Sequence, residues 1–363
     1  MKLIFRRRWQ LVLASSAAAL ALLLGGAGPA AAATKAPTTL GIYLSQSTVA
    51  PNKSTTVVGA LRSYGAPVRG QTVQLEMRPA GQSTWTLKSK AQTNSEGKVA
   101  FNTGVPVRNT SFRIVYTGAG SLAGSTSLVK LLTVNQTITI GSFGANVQAG
   151  QKTWVSGWTT PGLRNKTLSV QIQRDGSWMD NSATIAVGAD GRFSGRFALN
   201  EGGAQNIRLR FSGDSSAPAT VSGAKTVTVY KWYYLNDLEW VDVDDSHTST
   251  WTSIGGTSFQ RVIKTGGSTS WGGYAGWAEY NLSYKCTSFL GYVGILDSAA
   301  SGSTSNFFVS VDGLDRANGT ASLGQAQRLE LDVSGGFRIR LGITSNGQST
   351  GWGNAKVLCS NQP

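Results

Sequence analysis

The sequence predicts an all-β protein made of successive sandwiches, and three observations predict it. The first is self-similarity. Val57–Val58–Gly59, Val73–Gln74–Leu75, Trp85, Glu96–Gly97–Lys98–Val99 and Phe112–Arg113–Ile114–Val115–Tyr116–Thr117–Gly118 recur downstream. Their counterparts are Val155–Ser156–Gly157, Val170–Gln171–Ile172, Trp178, Asp190–Gly191–Arg192–Phe193 and Ile207–Arg208–Leu209–Arg210–Phe211–Ser212–Gly213, at an offset between 93 and 98 residues. A period of that length is one small β-sandwich. The second is alternation: Thr167 to Gln173 reads Thr–Leu–Ser–Val–Gln–Ile–Gln, one polar and one apolar face. Glycine turns such as Asp175–Gly176, Asp190–Gly191 and Asp312–Gly313 punctuate such runs. The third is that both copies close on a β-branched run, Leu131–Leu132–Thr133–Val134 and Thr226–Val227–Thr228–Val229, and the repeat stops at Trp232.

Taken in order, residues 1–33 read as an export signal. Lys2, Arg6, Arg7 and Arg8 form a basic start, Leu11 to Leu24 is an apolar run too short for a membrane span, and Ala31–Ala32–Ala33 offers small residues for cleavage near Ala33–Thr34. The two copies follow as residues 38–134 and 135–230, and a third, unlike segment occupies 232–363. Helical periodicity is absent after the signal, and no later segment is apolar enough to span a bilayer. With 45 Gly, 14% charged residues and one His, the composition is that of a secreted, extracellular all-β protein, either released or held non-covalently at a cell wall.

Charge is unevenly distributed. Residues 34–231 hold 21 Lys or Arg against 7 Asp or Glu, a net +14, whereas residues 232–363 hold 8 against 11, a net −3. The basic repeats suit an anionic cell-wall polymer or lipid headgroups; solubility alone is the plainer explanation. Nucleic acid is not an expected partner, since no aromatic-basic motif of that kind occurs. The two cysteines, Cys286 and Cys359, both lie in the third segment, and in an exported chain a disulfide between them is expected. It would close a loop of 73 residues, stabilising by roughly 4 kcal/mol on a chain-entropy basis.

Several spaced motifs of the third segment resemble the NPCBM family of carbohydrate-binding modules. Tyr234–Leu235–Asn236–Asp237–Leu238–Glu239–Trp240 is similar to the family's opening, and Phe289 with Val293–Gly294–Ile295–Leu296–Asp297 to an inner strand. Phe307, Val309, Asp312 and Gly313 keep the spacing of a later segment; Leu331 to Gly335 and Phe337 to Leu341 resemble the penultimate strand pair, and Trp352–Gly353–Asn354–Ala355–Lys356 the close. The resemblance covers residues 232–358 and implies a galactose-binding-like, jelly-roll β-sandwich. It departs where the family carries a histidine: here Trp271–Gly272–Gly273–Tyr274–Ala275–Gly276–Trp277 stands without one, so the ligand set is not transferred. The two repeats resemble bacterial immunoglobulin-like spacers, with Tyr116–Thr117–Gly118 and Phe211–Ser212–Gly213 on late strands.

Six of the 11 tryptophans fall in the third segment. A sugar offers apolar C–H faces ringed by hydroxyls, so its site needs a flat aromatic ring beside fixed polar groups. Trp251 among Ser and Thr, Trp271, Tyr274 and Trp277 among glycines, and Trp352 after Gln348–Ser349–Thr350–Gly351 sit in turn-like contexts and are the candidate ligand-binding rings. Trp240, inside an alternating strand, is expected in the core.

Asp237, Glu239, Asp242, Asp244 and Asp245 could hold a structural Ca2+, but they lack an EF-hand spacing and a solvated edge is the simpler reading, so no cofactor or metal is expected. No catalytic residue is assigned: the lone His247 has no Gly-x-Ser-x-Gly elbow to serve, and sandwiches of this size leave no room for a separate catalytic domain. The expected function is non-catalytic binding of an extracellular glycan by the third segment, projected on the repeats. The alternative is a structural or adhesive surface protein whose third segment packs against protein and has no sugar site.

Overall fold

The computed structural model describes residues 34–144, 147–265, 276–345 and 350–363, and these are almost entirely strands. The only helical elements among them are single 3-10 turns at Pro161–Leu163 and Leu235–Asp237. Asp175–Gly176 and Asp312–Gly313 take positive φ at both residues, the geometry a two-residue hairpin requires. They join Thr167–Arg174 to Ser177–Ala186 and Thr304–Val311 to Leu314–Ser322.

Each repeat packs two antiparallel sheets over its own core. In the first, Thr38–Leu44, Thr56–Ser63 and Lys98–Asn102 form one sheet, and Thr72–Pro79, Thr86–Gln92, Thr110–Tyr116 and Lys130–Val134 the main part of the other. Inward residues such as Val57, Leu61, Leu75, Phe112, Ile114 and Leu132 are fully buried. The second repeat copies this with Ile138–Phe143, Lys152–Thr159 and Arg192–Ala198 facing Ser177–Ala186, Thr167–Arg174, Gly203–Phe211 and Lys225–Tyr234. Its core holds Val155, Leu168, Val170, Ile185, Ile207 and Leu209.

The junctions are ordered by hydrogen bonds rather than left as loose linkers. Between the repeats, the buried Gln136 side chain donates to the Val134 and Val107 carbonyls at 3.0 and 3.2 Å, and its Oε1 accepts from the Thr160 hydroxyl at 2.7 Å and the Gly162 N–H at 3.1 Å. Asn109 N–H donates to the Ser216 carbonyl at 2.8 Å. At the second junction the strand Lys225–Tyr234 serves both sides. Lys225 to Val229 pair with Ile207 to Gly203, and Lys231 to Tyr234 pair with Cys359 to Lys356. One sheet therefore runs without interruption from the second repeat into the third segment.

The third segment packs two sheets face to face. One contains Ser246–Ser249, Val262–Thr265, Thr350–Cys359, Cys286–Ile295 and Gln327–Asp332. The other runs Trp240–Asp244, Gly276–Asn281, Arg338–Ser345, Thr304–Val311, Leu314–Ser322. Tyr280, Phe289, Val293, Phe307, Ile339, Leu341 and Trp352 fill the space between. Cys286 and Cys359 are direct cross-strand partners, 3.9 Å apart at Cα, and are joined by a disulfide, as the sequence leads one to expect.

Two tryptophans are placed differently from their sequence reading. Trp240 is 40% exposed rather than in the core, because its strand is the sheet edge and every residue of it is exposed. Trp352 is fully buried. Its strand is central, with Ile263 and Val293 beside it in register, and its indole meets the Phe307 ring edge-on at 5.8 Å across the sandwich. It is a core residue and presents no face to a ligand, which corrects its candidacy as a sugar-binding ring.

Candidate functional site

The candidate rings among the described residues, Trp251, Trp277 and Trp352, are not gathered in one place. Trp271 and Tyr274 lie outside the described residues. Trp277 lies on the outer face of the strand Gly276–Asn281, alternating with buried Gly276, Ala278 and Tyr280. The Arg340 guanidinium sits over its ring at 5.0 Å, and its indole N–H donates to Asp242 at 3.2 Å. Arg340 also pairs with Asp242 at 3.5 Å and Glu279 at 3.3 Å, so Trp277 is bound into a lattice of charges with one face occupied.

Trp251 stands apart. It follows the strand Ser246–Ser249 and precedes the short hairpin Thr252–Ile254/Thr257–Phe259. The hairpin turn, Gly255–Gly256 at positive φ, is anchored by two N–H groups donating to the Asp297 carboxylate at 2.7 and 2.9 Å. Trp251 itself has φ +60° and is 70% exposed. Positive φ is uncommon outside glycine and an outlier for a bulky residue; it costs free energy and tends to persist where the ring has a task.

That ring borders an open cavity of about 680 Å³, lined also by Asn236, Asp237, Thr248, Gln260 and Arg261. The strand Val262–Thr265 brings Arg261 in, and the Leu235–Asp237 turn brings Asn236 and Asp237. Arg261 donates to Asp237 at 3.1 Å and stacks over Tyr234 at 4.5 Å. The hydrogen bond to Asp237, then its charge, hold the guanidinium more firmly protonated. Lys356 continues the row, 5.6 Å from Tyr234 and 4.9 Å from Trp232. Asn236 donates to the Val262 carbonyl at 3.0 Å, while its buried Oδ1 has no partner among the described residues. The cavity is therefore bordered by one large ring, the Gln260 side chain, hydroxyls and a fixed ion pair.

Sequence reasoning named Trp251 but missed Asn236, Gln260 and Arg261 as its neighbours. Asn236 and Asp237 are visible within the Tyr234–Trp240 motif, whose centre is the Leu235–Asp237 turn. For Gln260 and Arg261 no local signal existed. The acidic residues disperse: Asp237 goes to Arg261 and Asp242 to Arg340, and no group able to hold a metal ion occurs among the described residues. His247 is exposed on an edge strand opposite Lys264.

Residues 233–358 match the family model of the NPCBM/NEW2 domain. No curated protein matches the chain. Among solved structures, CBM51 from Clostridium perfringens GH95 in complex with methyl-galactose is 18% identical, with 35% of this chain and 99% of that chain covered and a TM-score of 0.30. The M60 catalytic domain with the CBM51-1 and CBM51-2 domains from Clostridium perfringens ZmpB is 10% identical, covering 89% of this chain and 55% of that one at a TM-score of 0.31. The C-terminal 282-residue fragment of intimin, in complex with the intimin-binding domain of the translocated intimin receptor, is 14% identical, covering 53% and 65% at 0.29.

Proposed function

Residues 233–358 being an NPCBM/NEW2 domain, we propose that this chain is an exported, non-catalytic glycan-binding protein. In this reading residues 1–33 are removed on export, residues 38–134 and 135–230 are immunoglobulin-like spacers, and residues 232–363 bind the sugar. The observation that carries it is Trp251, held exposed in a strained backbone conformation over the 680 Å³ cavity with Asn236, Gln260 and the Asp237–Arg261 pair. The indole stacks on the C–H face of a pyranose; the fixed polar groups take its hydroxyls. The strand shared across residues 225–234 aligns this domain with its spacer. The basic spacers draw the protein to anionic cell-wall material.

The test is a glycan array with the intact chain and with Trp251→Ala. Binding to a glycan, weakened about 10- to 100-fold by the substitution, supports the reading; that range corresponds to roughly 1–3 kcal/mol for loss of a central stacking ring. Binding unaffected by the substitution removes Trp251 from the site. Absence of any glycan ligand at millimolar concentration hands the third domain to the adhesive alternative.

A further inference from the structure

The second repeat carries an exposed face that its sibling lacks. On the strand Lys152–Thr159, Thr153 and Val155 point into the core, whereas Trp154 is 42% and Trp158 52% exposed on the outer side. The two indoles are four residues apart on one side of a strand, a separation of about 13 Å at the usual rise. Cross-strand pairing sets Arg196 beside Trp154, Ser194 beside Ser156 and Arg192 beside Trp158, all on the same face.

Glycines stand beside both rings. Gly141, at a bulge in the edge strand Ile138–Phe143, lies so close to Trp158 that a Cβ there would come within 3.0 Å of its Cζ3. A Cβ on Gly144 would come within 2.8 Å of the Trp154 ring. With no side chain at either place, each indole has room beside the edge segment. A shallow cavity of about 750 Å³ lies along this surface, bordered by Trp158, Ser142, Ser156, Arg192 and Ser194.

The fold does not require these residues. At the aligned positions the first repeat has Thr56 for Trp154, Ala60 for Trp158, Lys98 for Arg192, Ala100 for Ser194 and Asn102 for Arg196, and it forms the same sheet. Nor are the arginines used internally. Arg192 reaches only Asp190, at 3.8 Å and with its side chain 80% exposed, and Arg196 makes no ion pair among the described residues.

We infer that this face is a second binding site, for a linear anionic polysaccharide. Two flat rings in line take the apolar faces of successive sugars, the serines between them take hydroxyls, and the arginines at both ends take carboxylates or sulfates in bidentate fashion. The site deepens the attraction of the basic spacers to anionic material by locating it, and it does not depend on the cavity at Trp251.

Affinity electrophoresis of the intact chain through gels holding polygalacturonate, heparin or neutral pullulan tests it. Retardation is expected in polygalacturonate, heparin or both, marking carboxylate or sulfate as the group recognised, and not in pullulan. The Trp154→Thr/Trp158→Ala double variant restores the first repeat's residues and should weaken binding at least 10-fold without lowering the unfolding temperature. Arg192→Gln/Arg196→Gln should weaken it comparably, and decides the matter alone if the first variant fails to fold. Trp251→Ala should leave it intact, which separates this site from the third domain's. Full retardation of the tryptophan variant would reduce the effect to diffuse charge and overturn the site. Equal retardation in pullulan, none in either anionic polymer, or loss in Trp251→Ala would overturn it as well.

Discussion

Replacing Trp352 by Ala is expected to cost the third domain about 3–5 kcal/mol, the range for removing a fully buried large aromatic. The structure explains why the hole would not close. Trp352 sits on a central strand held on both sides, by Ile263 and Val293 in register, and its ring spans to Phe307 on the opposite sheet. Neither sheet can move in without breaking ladders. One term opposes the loss: the Trp352 indole N–H is buried without a partner among the described residues, so its removal also relieves an unsatisfied donor. Trp352→Phe, which keeps an aromatic ring and deletes that donor, should therefore cost less, under about 2 kcal/mol. Thermal unfolding of the intact chain is the assay, the third-domain transition being the one that moves when the disulfide is reduced. A downward shift of about 10 °C or more is expected for Trp352→Ala. In the same assay Trp251→Ala should stay within about 0.5 kcal/mol of the parent, since an exposed ring contributes little to a core. A Trp352→Ala loss below about 1 kcal/mol would refute the placement of this ring as a pillar between the sheets.

Other outcomes follow from the same physics. Reducing the Cys286–Cys359 bridge should destabilise the third domain by about 4 kcal/mol, for a separation of 73 residues, and leave the repeats' transitions in place. Burial of Asp214 pushes its pKa up, but the Lys166 ammonium at 2.6 Å and hydrogen bonds from Ser216 outweigh this and hold it at about 2. Because the folded value is depressed, its contribution is present above the ordinary carboxylate value near 4 and disappears as pH falls from there towards 2. Acid titration of Asp214→Asn should accordingly show a flatter loss of second-repeat stability in that window than the parent. Retention of the intact chain on anionic wall material should fall steeply with salt, as exposed charges are screened within about 8 Å at 0.15 M. Retention indifferent to salt would leave the net charge a matter of solubility.

Features encoded locally or by repetition could be read from the residues alone. The Asp175–Gly176 and Asp312–Gly313 hairpins were legible because φ > 0 at two successive residues is a demand few dipeptides meet. The repeat was legible because the inward residues of one copy, such as Val57 and Phe112, return as Val155 and Ile207. The disulfide was legible from two cysteines in one segment of a chain whose start reads as an export signal. Tertiary structure alone decided which tryptophans face water. Period 2 says that neighbours lie on opposite faces, but not which face is covered, nor whether a strand is central or at an edge. Trp352 follows a turn-like stretch in the sequence and Trp240 an alternating one, yet the first lies between two partner strands under a second sheet and the second lies on an open edge. The cavity at Trp251 unites residues 236, 251 and 261 only because the Ser246–Ser249 and Val262–Thr265 strands pair. Trp154 and Trp158 stand exposed because their side of the strand Lys152–Thr159 is not covered by another layer, while glycines 141 and 144 leave room beside their rings. Each of these outcomes depends on a partner distant in the chain, and local pattern carries no record of it.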